Sequence, residues 1–596
     1  MSTGTETGLR RRRRVRLTSV RPVPVGFAGE QAREGPLTLG QLNVCAWVRE
    51  TPDDFYAILY TELPVPEAVP TSDVADAISV LITRHESLRT TYVPGEPPRQ
   101  RVAAAGVQLL EVCSLDEGPW DRPAVTEALI QRLRESPDPI RRPVRMAVAI
   151  APGAGGRVIA CAAAFSHLSM DNGAIGILKR EFTGLLSDRA RGPAGRPGRE
   201  PLDQAELDAT PAGRRRAEAA LDYLREQSRR MPRCLYALPG ARPSGESLAV
   251  ELSSVAAAMA VRQVAARTRA SRPSIVLAAI CAVIARRTSY PELVFPVLSS
   301  NRFEPQLVNY VGSLAQASIA TVGIGGRSFD ELAGHTWTTV MEASRHGRYD
   351  TAGLDAIAPL IEHERGLRVN YAPLFNSLVP ESWSGLTAGV AFQPREIDVA
   401  LARTELRWRP LPVSATPIRF TLNQVDGCLR LDMWSSDTGL VPRAELESVL
   451  LAVERLLAAA AHGDVAGHRM AALIGLEPLT GPDRILIDHS WIDIADVQRL
   501  VDDAVAPAAA HVFGPADGRS LVAYLAATDA IGTPGQAHAR CMAALTRHPT
   551  AITPRYYVIC RTAPPDPADH AAWPAPLTAG TGRTRTHLGA DQRPPT

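Results

Sequence analysis

Two hydrophobic spacings alternate along the first part of the chain and predict helices and strands in turn. Within residues 71–85, apolar side chains recur every three or four positions, which is typical of an amphipathic helix. Residues 157–165 form an almost continuous apolar run after a glycine-rich turn and predict a buried strand. A second helix is predicted to begin near Asp171.

The same mixture of spacings recurs in the second part of the chain. It predicts helices over 214–229, from Ser274 and over 443–462, and strands over 293–298 and 430–434. Both parts of the chain are therefore expected to combine helices with strands.

The length of 596 residues corresponds to about three or four domain-sized units. Residues 188–216 are rich in Arg, Pro and Gly and lack hydrophobic periodicity, so a boundary is predicted there. The expected division, in chain order, is a basic disordered tail over 1–16, an N-terminal lobe over 17–190, a linker over 191–213, a C-terminal lobe over 214–470, an appendage over 481–563 and a disordered tail over 564–596.

Composition narrows the classes of partner. The 65 basic and 63 acidic residues nearly balance, so the chain lacks the basic excess that nucleic-acid binding requires, and no nucleic acid is expected. The longest strongly apolar stretch, 275–285, is too short to span a bilayer, and no signal peptide is recognised, so no membrane partner is expected. Eight widely spaced cysteines without a metal or disulfide pattern favour a cytoplasmic location.

The sharpest chemical feature is Phe-Ser-His-Leu-Ser-Met-Asp-Asn-Gly at 165–173, between a predicted strand and a predicted helix. An imidazole at a strand end, here His167, can face a cleft and take or hold a proton near neutral pH. Asp171 can turn back beneath it. From the residues alone the signal is weak, because a lone histidine at a strand end is structural about three times as often as functional. An aspartate that opens a helix is usually its N-cap.

This motif resembles the HHxxxDG signature of the condensation domains of nonribosomal peptide synthetases, members of the chloramphenicol acetyltransferase-like superfamily. Ser166 stands in place of the first histidine, and His167 matches the second. Asp171 matches the aspartate, and Asn172 takes the place of the glycine.

Three other segments match family elements in the family's order. Leu-Thr-Leu-Gly-Gln at 37–41 resembles the opening LSxAQ element, and Arg-His-Glu-Ser-Leu-Arg-Thr at 84–90 matches RHExLRT. Asn-Arg at 301–302, followed by Tyr-Val-Gly-Ser-Leu-Ala-Gln at 310–316, resembles the GR and GxFVN elements. The resemblance covers about residues 17–470.

The resemblance implies an α/β (α+β) fold in which two chloramphenicol acetyltransferase-like lobes form a V-shaped pseudo-dimer, with a small C-terminal α+β appendage. A tunnel between the lobes would open to carrier proteins, whose phosphopantetheine arms bring the substrates, so no bound cofactor or metal is expected. His167 is implied to position or deprotonate the acceptor nucleophile that attacks the donor thioester. The candidate tunnel residues are Gly312, Ser313 and Gln316, of which the last stands in the family's asparagine position.

The resemblance also assigns residues that support the site. Asp171 is implied to brace the loop through an arginine, with Arg302 as the first candidate and Arg89 as the second; alternatively, Arg89 is merely solvated. Ser166 replaces the more dispensable imidazole, so activity is expected to survive. Asn172 adds a side chain near the substrate, although Asn tolerates left-handed dihedrals and a glycine follows. The supporting set is Asp171, Arg302, Arg89, Ser166, Asn172 and Gly173.

The last part of the chain resembles the small C-terminal subdomain of adenylation enzymes. Segments 487–497, 521–525 and 577–583 are similar to its hinge, strand and final motifs. Arg583 or Gly582 stands where that family has its lysine, so adenylation is not expected, and a degenerate docking appendage is favoured over an unrelated small α/β appendage. The histidines of this region lack metal-ligand spacing and are expected at the surface: His489, His511, His538 and His548.

Three functions follow as hypotheses. The favoured one is a free-standing condensation enzyme of antibiotic biosynthesis, which transfers an acyl or aminoacyl group from a carrier-bound thioester to an amine or hydroxyl. The second is a condensation-like scaffold that has lost catalysis and recruits assembly-line proteins. The third is an acyl-CoA-dependent acyltransferase. Because no LGGxS site for a phosphopantetheine arm is found in the sequence, any carrier is expected to be another protein.

Overall fold

The structure is a computed structural model. It describes residues 15–583 apart from 52–54, 117–119, 136, 152–154, 189–197, 237–243, 370–371, 380–391, 411–416, 480, 482–483, 515–519 and 549. The chain divides into two compact units. The first comprises the residues up to Arg214 together with Ser300–Ala315, and the second comprises Arg215–Ser299 and the residues from Gln316 onward. The predicted tails over 1–16 and 564–596 lie outside the described residues, except for 15–16 and 564–583.

The first unit contains a six-stranded and a three-stranded sheet. Its strands are β1 (Leu17–Ala28), β2 (Arg33–Pro36), β3 (Ile58–Leu63), β4 (Val69–Pro70), β5 (Thr90–Val93), β6 (Arg99–Val102), β7 (Ala105–Leu115), β8 (Val144–Ile150) and β9 (Arg157–Ser166). Its helices are α1 (Leu39–Glu50), α2 (Thr71–Arg84), α3 (Arg122–Arg134), α4 (Asn172–Ser187) and α5 (Pro201–Asp208). The larger sheet has the order β1-β7-β8-β9-β3, with β4 also paired to β9, and the smaller has the order β2-β6-β5.

Strand β9 lies inside the larger sheet and is buried on both faces. Its Cys161, Ala163 and Phe165 side chains join a core that includes residues of α2 and α4. Ala160 and Ala164 point the other way and pack in a second cluster with residues of α3. Helices therefore cover both faces of the sheet, and the strand that leads into the motif at 165–173 is firmly held.

The elements predicted for this part of the chain are confirmed as α2, β9 and α4. The structure corrects the prediction of a linker over 191–213. Helix α5 lies within that range and buries Leu202 and Ala205. Helix α6 (Pro211–Ser228) also begins within it. The Arg-, Pro- and Gly-rich composition hides these short apolar contacts, since they show no helical period over a longer window.

The second unit is built around a seven-stranded sheet. Its strands are β10 (Leu248–Ser254), β11 (Glu292–Ser299), β12 (Gln316–Gly323), β13 (Leu374–Ser377), β14 (Glu405–Pro410), β15 (Ile418–Gln424) and β16 (Leu429–Ser435). Its helices, besides the larger part of α6, are α7 (Val255–Thr268), α8 (Arg272–Thr288), α9 (Phe329–Arg345), α10 (Thr351–Arg365), α11 (Pro394–Leu401), α12 (Arg443–Ala461) and α13 (Gly467–Ile474). The order is β12-β11-β13-β15-β16-β10-β14.

The core of the second unit lies between one face of this sheet and the apolar helices α7, α8, α9 and α12. Residues from Pro273 to Ala285 of α8 are all buried, as expected for a helix that is apolar on every side. The five elements predicted for this part of the chain are confirmed as α6, α8, α12, β11 and β16.

The appendage belongs to the second unit and has its own core. Its strands are β17 (Arg484–Ile487), β18 (Ser490–Asp493), β19 (Ala510–Phe513), β20 (Val522–Ala526), β21 (Tyr556–Cys560) and β22 (Pro576–Gly580), and its helices are α14 (Ile494–Val505) and α15 (Pro534–Ala544). A four-stranded sheet, β19-β20-β21-β22, packs against both helices. Arg365 at the end of α10 pairs with Asp488 at 2.9 Å and so ties the appendage to the rest of the unit.

Two predictions for the part of the chain after residue 480 are wrong. The disordered tail predicted from residue 564 contains β22, which pairs with β21, and Trp573, which is buried. His538 and His548, expected at the surface, are also buried. His548 lies between two carboxylates, those of Asp496 and Asp503, each at 3.0 Å. The turn-rich composition of this segment gave no strand pattern for β22. The burial of the two histidines depends on tertiary packing, which the local sequence does not show.

No single helix in the described ranges is long and apolar enough to cross a membrane. Helices α7 and α8 pass that test of length and composition only as a pair, and they are bent by 105° at the break between them.

Candidate active site

The motif at 165–173 forms a tight loop between β9 and α4 in the first unit. The backbone N–H of Ser166 donates to the carbonyl of Pro143 at 2.7 Å, and that of His167 donates to the carbonyl of Ala57 at 2.9 Å. The N–H groups of Ser169 and Met170 both donate to the Ser166 carbonyl. Because neighbouring chain segments bind the loop, the backbone of His167 is held in place at the end of a buried strand.

Asp171 is the best-bound side chain of the loop. It pairs with Arg302 through two hydrogen bonds, of 2.7 Å to Oδ1 and 2.8 Å to Oδ2. Its Oδ2 also accepts from the N–H groups of Leu314 and Ala315 at 3.0 and 3.1 Å, and its Oδ1 accepts from Ala174 at 2.9 Å as the N-cap of α4. Burial alone would raise the pKa of Asp171, but Arg302 and the hydrogen bonds outweigh it and lower that pKa.

Arg302 is also bound on its far side. It donates to the carbonyls of Gly312 at 3.0 Å and Ser300 at 3.1 Å. A Cβ on Gly173 would lie 2.8 Å from its Nη1, so only glycine leaves room for the guanidinium. Arg89, the second candidate partner, instead donates to the carbonyl of Ala103 at 2.6 Å. The structure thus pairs Asp171 with the first of the two arginines considered.

His167 is partly exposed, and its ring packs against Trp47 of α1. The two ring centroids are 5.8 Å apart and the planes are perpendicular, which is a favourable edge-to-face arrangement. Trp47 escaped the sequence analysis because it lies outside the family-like segments. Only its place on the helix that follows the opening motif could have suggested it.

A buried polar network supports the loop from below. Gln41, from the segment that resembles the opening LSxAQ element, donates to the carbonyl of Leu168 at 3.4 Å. Tyr92, on the strand after the RHExLRT-like segment, lies 3.0 Å from the Ser169 hydroxyl. The opening segment therefore contacts this loop directly, and the strand that follows the RHExLRT-like segment contacts it through Tyr92. Tyr92 was not predicted, since no local pattern identifies its partner.

The two departures from the family signature take different positions. Ser166 is buried on the α3 side of β9, its Oγ accepts from the Leu168 N–H at 3.3 Å, and it lines a small cavity with Arg142 and Arg145. Asn172 is exposed in the first turn of α4 and has no positive φ. The left-handed tolerance invoked for Asn172 is therefore not needed.

The three predicted tunnel residues lie on or beside the connection between β11 and β12. Ser313 is fully buried, and its carbonyl would be 2.6 Å from a Cβ on Gly40, which explains the glycine in α1. Gly312 supplies the carbonyl that binds Arg302. Gln316 is buried in the second unit and donates to the carbonyl of Tyr349 at 3.0 Å. Their contact with a substrate stays a prediction.

Arg583, one of the two residues that stand where the adenylation family has its lysine, makes structural contacts. Arg583 donates to the carbonyls of Thr553 and Pro554, each at 3.1 Å, and to that of Glu364 at 3.2 Å. Burial lowers the pKa of Arg583 to about 10. The side chain is thus engaged in holding the last strand to the end of α10. Among the described residues, no cluster of His, Cys, Asp or Glu could hold a metal.

Comparison with known proteins adds to this geometry. No protein-family model matches the chain. Among curated proteins, phosphinothricin tripeptide synthetase PhsC of Streptomyces viridochromogenes is 28% identical over 316 residues, which are 47% of this chain and 27% of that protein. The match therefore spans about a quarter of that relative's length.

Solved structures match more of the chain. The first condensation domain of the calcium-dependent antibiotic (CDA) synthetase has a TM-score of 0.53 and 16% identity, covering 72% of this chain and 96% of that one. A mutant starter condensation domain of rhizomide synthetase RzmA, in complex with C8-CoA, has a TM-score of 0.55 and 14% identity, covering 73% and 96%. SgcC5 from Streptomyces globisporus has a TM-score of 0.52 and 16% identity, covering 72% and 99%.

The chain therefore has the fold of the condensation domains of nonribosomal peptide synthetases. This confirms the fold that the sequence resemblance implied, a mixed α/β fold of the condensation-domain type.

Proposed function

We propose that this chain is an acyltransferase that moves an acyl or aminoacyl group from a carrier-protein thioester to an amine or a hydroxyl, giving an amide or an ester. The observation that carries the proposal is the placement of His167 at the end of a buried strand, in a loop whose Asp171 is bound by Arg302 and three backbone N–H groups. The condensation-domain fold supports a transferase of this class.

In the proposed reaction the acceptor nitrogen or oxygen attacks the thioester carbonyl carbon, and the carbon–sulfur bond breaks. The proton lost by the acceptor passes to the His167 imidazole and then to the departing phosphopantetheine thiolate, so charge and protons balance. General-base catalysis by such a group contributes about 10²- to 10⁴-fold in rate. Asp171 and Arg302 do not react; they hold the loop that aims the imidazole.

Intact-mass measurement of an acylated carrier, incubated with candidate amines and with this protein, tests the proposal. The carriers encoded beside this gene are the first to try. We expect the wild type to release the acyl group as an amide, and His167→Ala to do so at least 100-fold more slowly. His511→Ala, which changes a partly exposed histidine of the appendage, is the matched control and should retain full rate. Undiminished product formation by His167→Ala would remove His167 from the mechanism.

One alternative is transfer from an acyl-CoA without a carrier. The observation in its favour is that the RzmA starter condensation domain was solved with C8-CoA. Turnover of octanoyl-CoA with an amine, in the absence of any carrier protein, would support this alternative over the main proposal.

The other alternative is a scaffold that binds carriers without catalysis. Ser166 and Asn172, where the family signature has His and Gly, are the evidence for it. Carrier binding by the wild type without turnover of any acylated carrier would favour it.

All eight cysteines are unpaired, which agrees with the cytoplasmic location proposed for each alternative.

A further inference from the structure

Lysine is almost absent from this chain. Of the 65 basic residues, Lys179 is the single lysine, and all the others are arginines. The two side chains differ in chemistry, because an arginine stays charged in proteins, whereas a lysine amine becomes a nucleophile when it loses its proton. The proposed function uses no lysine. Lys179 is therefore the one ε-amino group whose chemistry the mechanism does not employ.

Lys179 lies on α4, at the border between the buried and the exposed side of the helix. Ile175, four residues before it, and Phe182, three residues after it, are buried in the core of the first unit. Residues at these spacings are neighbours on a helix surface, so the methylene stem of Lys179 lies beside an apolar stripe. The side chain is partly buried, while its Nζ keeps contact with solvent. The amine is thus open to a reagent in solution but only partly hydrated.

No counter-ion holds this amine in its charged form within the described ranges, where neither a hydrogen bond nor an ion pair reaches its Nζ. Glu181, two residues along, is engaged by Arg84 at 3.4 Å and by His85 at 2.7 Å. Burial lowers the pKa of Lys179, and Glu62, which interacts with it only through space, opposes this without outweighing it. A larger fraction of Lys179 is therefore neutral near pH 7 than of a fully exposed lysine.

We propose that Lys179 is an acyl-acceptor site, whose Nζ takes an acyl group directly from an acyl-CoA thioester. The neutral amine attacks the thioester carbonyl carbon, and the carbon–sulfur bond breaks. The proton that the amine loses passes to the departing CoA thiolate, so the products are an amide on Lys179 and free CoA. Acylation removes the charge of the side chain, and with it the cost of keeping an ammonium group partly buried.

This modification goes beyond the proposed function, because it needs neither the His167 imidazole nor a carrier protein. The reacting atoms are the Nζ of Lys179 and the thioester carbon alone. Failure of acyl transfer from carriers to amines would therefore leave the modification standing.

The test is a competition between two lysines within the full chain. Arg561→Lys places a second lysine at an exposed position of the appendage. This variant is incubated with acetyl-CoA near neutral pH, and mass-spectrometric peptide mapping measures acetylation at both lysines of the same molecules. We expect Lys179 to be acetylated at least about threefold faster than the introduced lysine, because more of it is neutral. Equal or slower acetylation of Lys179 would overturn the proposal.

Two further measurements show whether the fold is the cause. In concentrated urea the preference for Lys179 should disappear, since both amines are then fully hydrated, and a preference that persists in the unfolded chain would also overturn the proposal. Glu62→Gln, made together with Arg561→Lys, removes a carboxylate that favours the charged amine, so it should increase the preference. An unchanged or smaller preference in this variant would contradict the electrostatic basis of the reactivity.

Discussion

Asp171, in the loop at 165–173, forms a buried ion pair with Arg302 through two hydrogen bonds. Both side chains are buried, with 3% of Asp171 and 9% of Arg302 exposed, and the Asp171 carboxylate also accepts from three backbone N–H groups. Removal of one partner leaves the other charge buried without compensation, which costs about 3–5 kcal/mol. The pair is therefore expected to stabilise the loop that carries His167.

Arg302→Met is expected to lower the free energy of unfolding by about 3–5 kcal/mol, because it leaves the Asp171 carboxylate unpaired. Urea unfolding followed by fluorescence measures this. Arg101→Met, which removes an exposed arginine paired with Glu34, is the control and should cost less than about 1 kcal/mol. Similar losses in the two variants would show that the buried pair is no stronger than a surface one.

Among individual residues, the sequence identified those that lie in a family-like motif. It missed the residues that contact the loop from outside such motifs. Both candidate partners of Asp171, Arg302 and Arg89, lie in family-like segments. Trp47 and Tyr92 contact the loop from a helix and a strand whose sequences show only their own secondary structure. Such contacts depend on how elements pack, and no spacing within a single segment reports that.

Among the elements, helix α5 has an unusual N-terminus. Glu200, its N-cap residue, accepts a hydrogen bond from the Glu86 N–H at 3.1 Å. Burial raises the pKa of Glu200 to about 8, with the Glu86 and Asp203 carboxylates adding to the effect and Arg89 opposing it. At neutral pH this carboxyl group is therefore mostly protonated in the folded chain.

The free energy of unfolding should fall as the pH rises from about 5 to about 8. The folded chain holds a proton on Glu200 in this range, whereas the unfolded chain has already released it, so higher pH favours unfolding. Glu200→Gln should make this fall shallower, as measured by urea unfolding at several pH values. Glu206→Gln, an exposed residue of the same helix, should not change the slope. An unchanged slope in Glu200→Gln would contradict the assignment.

Helices with several turns of regular apolar spacing, such as α2 and α12, were predicted to within a residue or two of their ends. Helix α5 was missed, because eight residues with a few buried side chains give too short a period to stand out from a polar context. Strand β22 was missed for a related reason. Its Pro-Leu-Thr-Ala-Gly sequence becomes a strand only through pairing with β21.

For the whole molecule, Arg583, which follows the last strand β22, links the C-terminal part of the appendage to the end of α10. Arg583→Met should increase hydrogen exchange in β22 and at the C-terminal end of α10, because three carbonyls lose their donor. Mass-spectrometric hydrogen exchange measures both segments. Arg561→Met, an exposed arginine of the appendage, is the control. Unchanged exchange in Arg583→Met would mean that the appendage is held by other contacts.

The division of the chain into units was the least predictable level. The sequence predicts a boundary within 188–216, and the described residues divide between Arg214 and Arg215. No pattern in the sequence indicates that residues 300–315 join the first unit. The residues that this segment contacts include Asp171 and Gly40, which lie more than a hundred positions away in the chain.

That interleaved connectivity limits how the protein can be dissected. A fragment ending at residue 214 would contain His167 and Asp171 but would lack the arginine that neutralises the aspartate and the two amides that bind it. Any attempt to express the halves separately, or to exchange them between homologues, has to transplant the sixteen-residue stretch Ser300–Ala315 along with the first half.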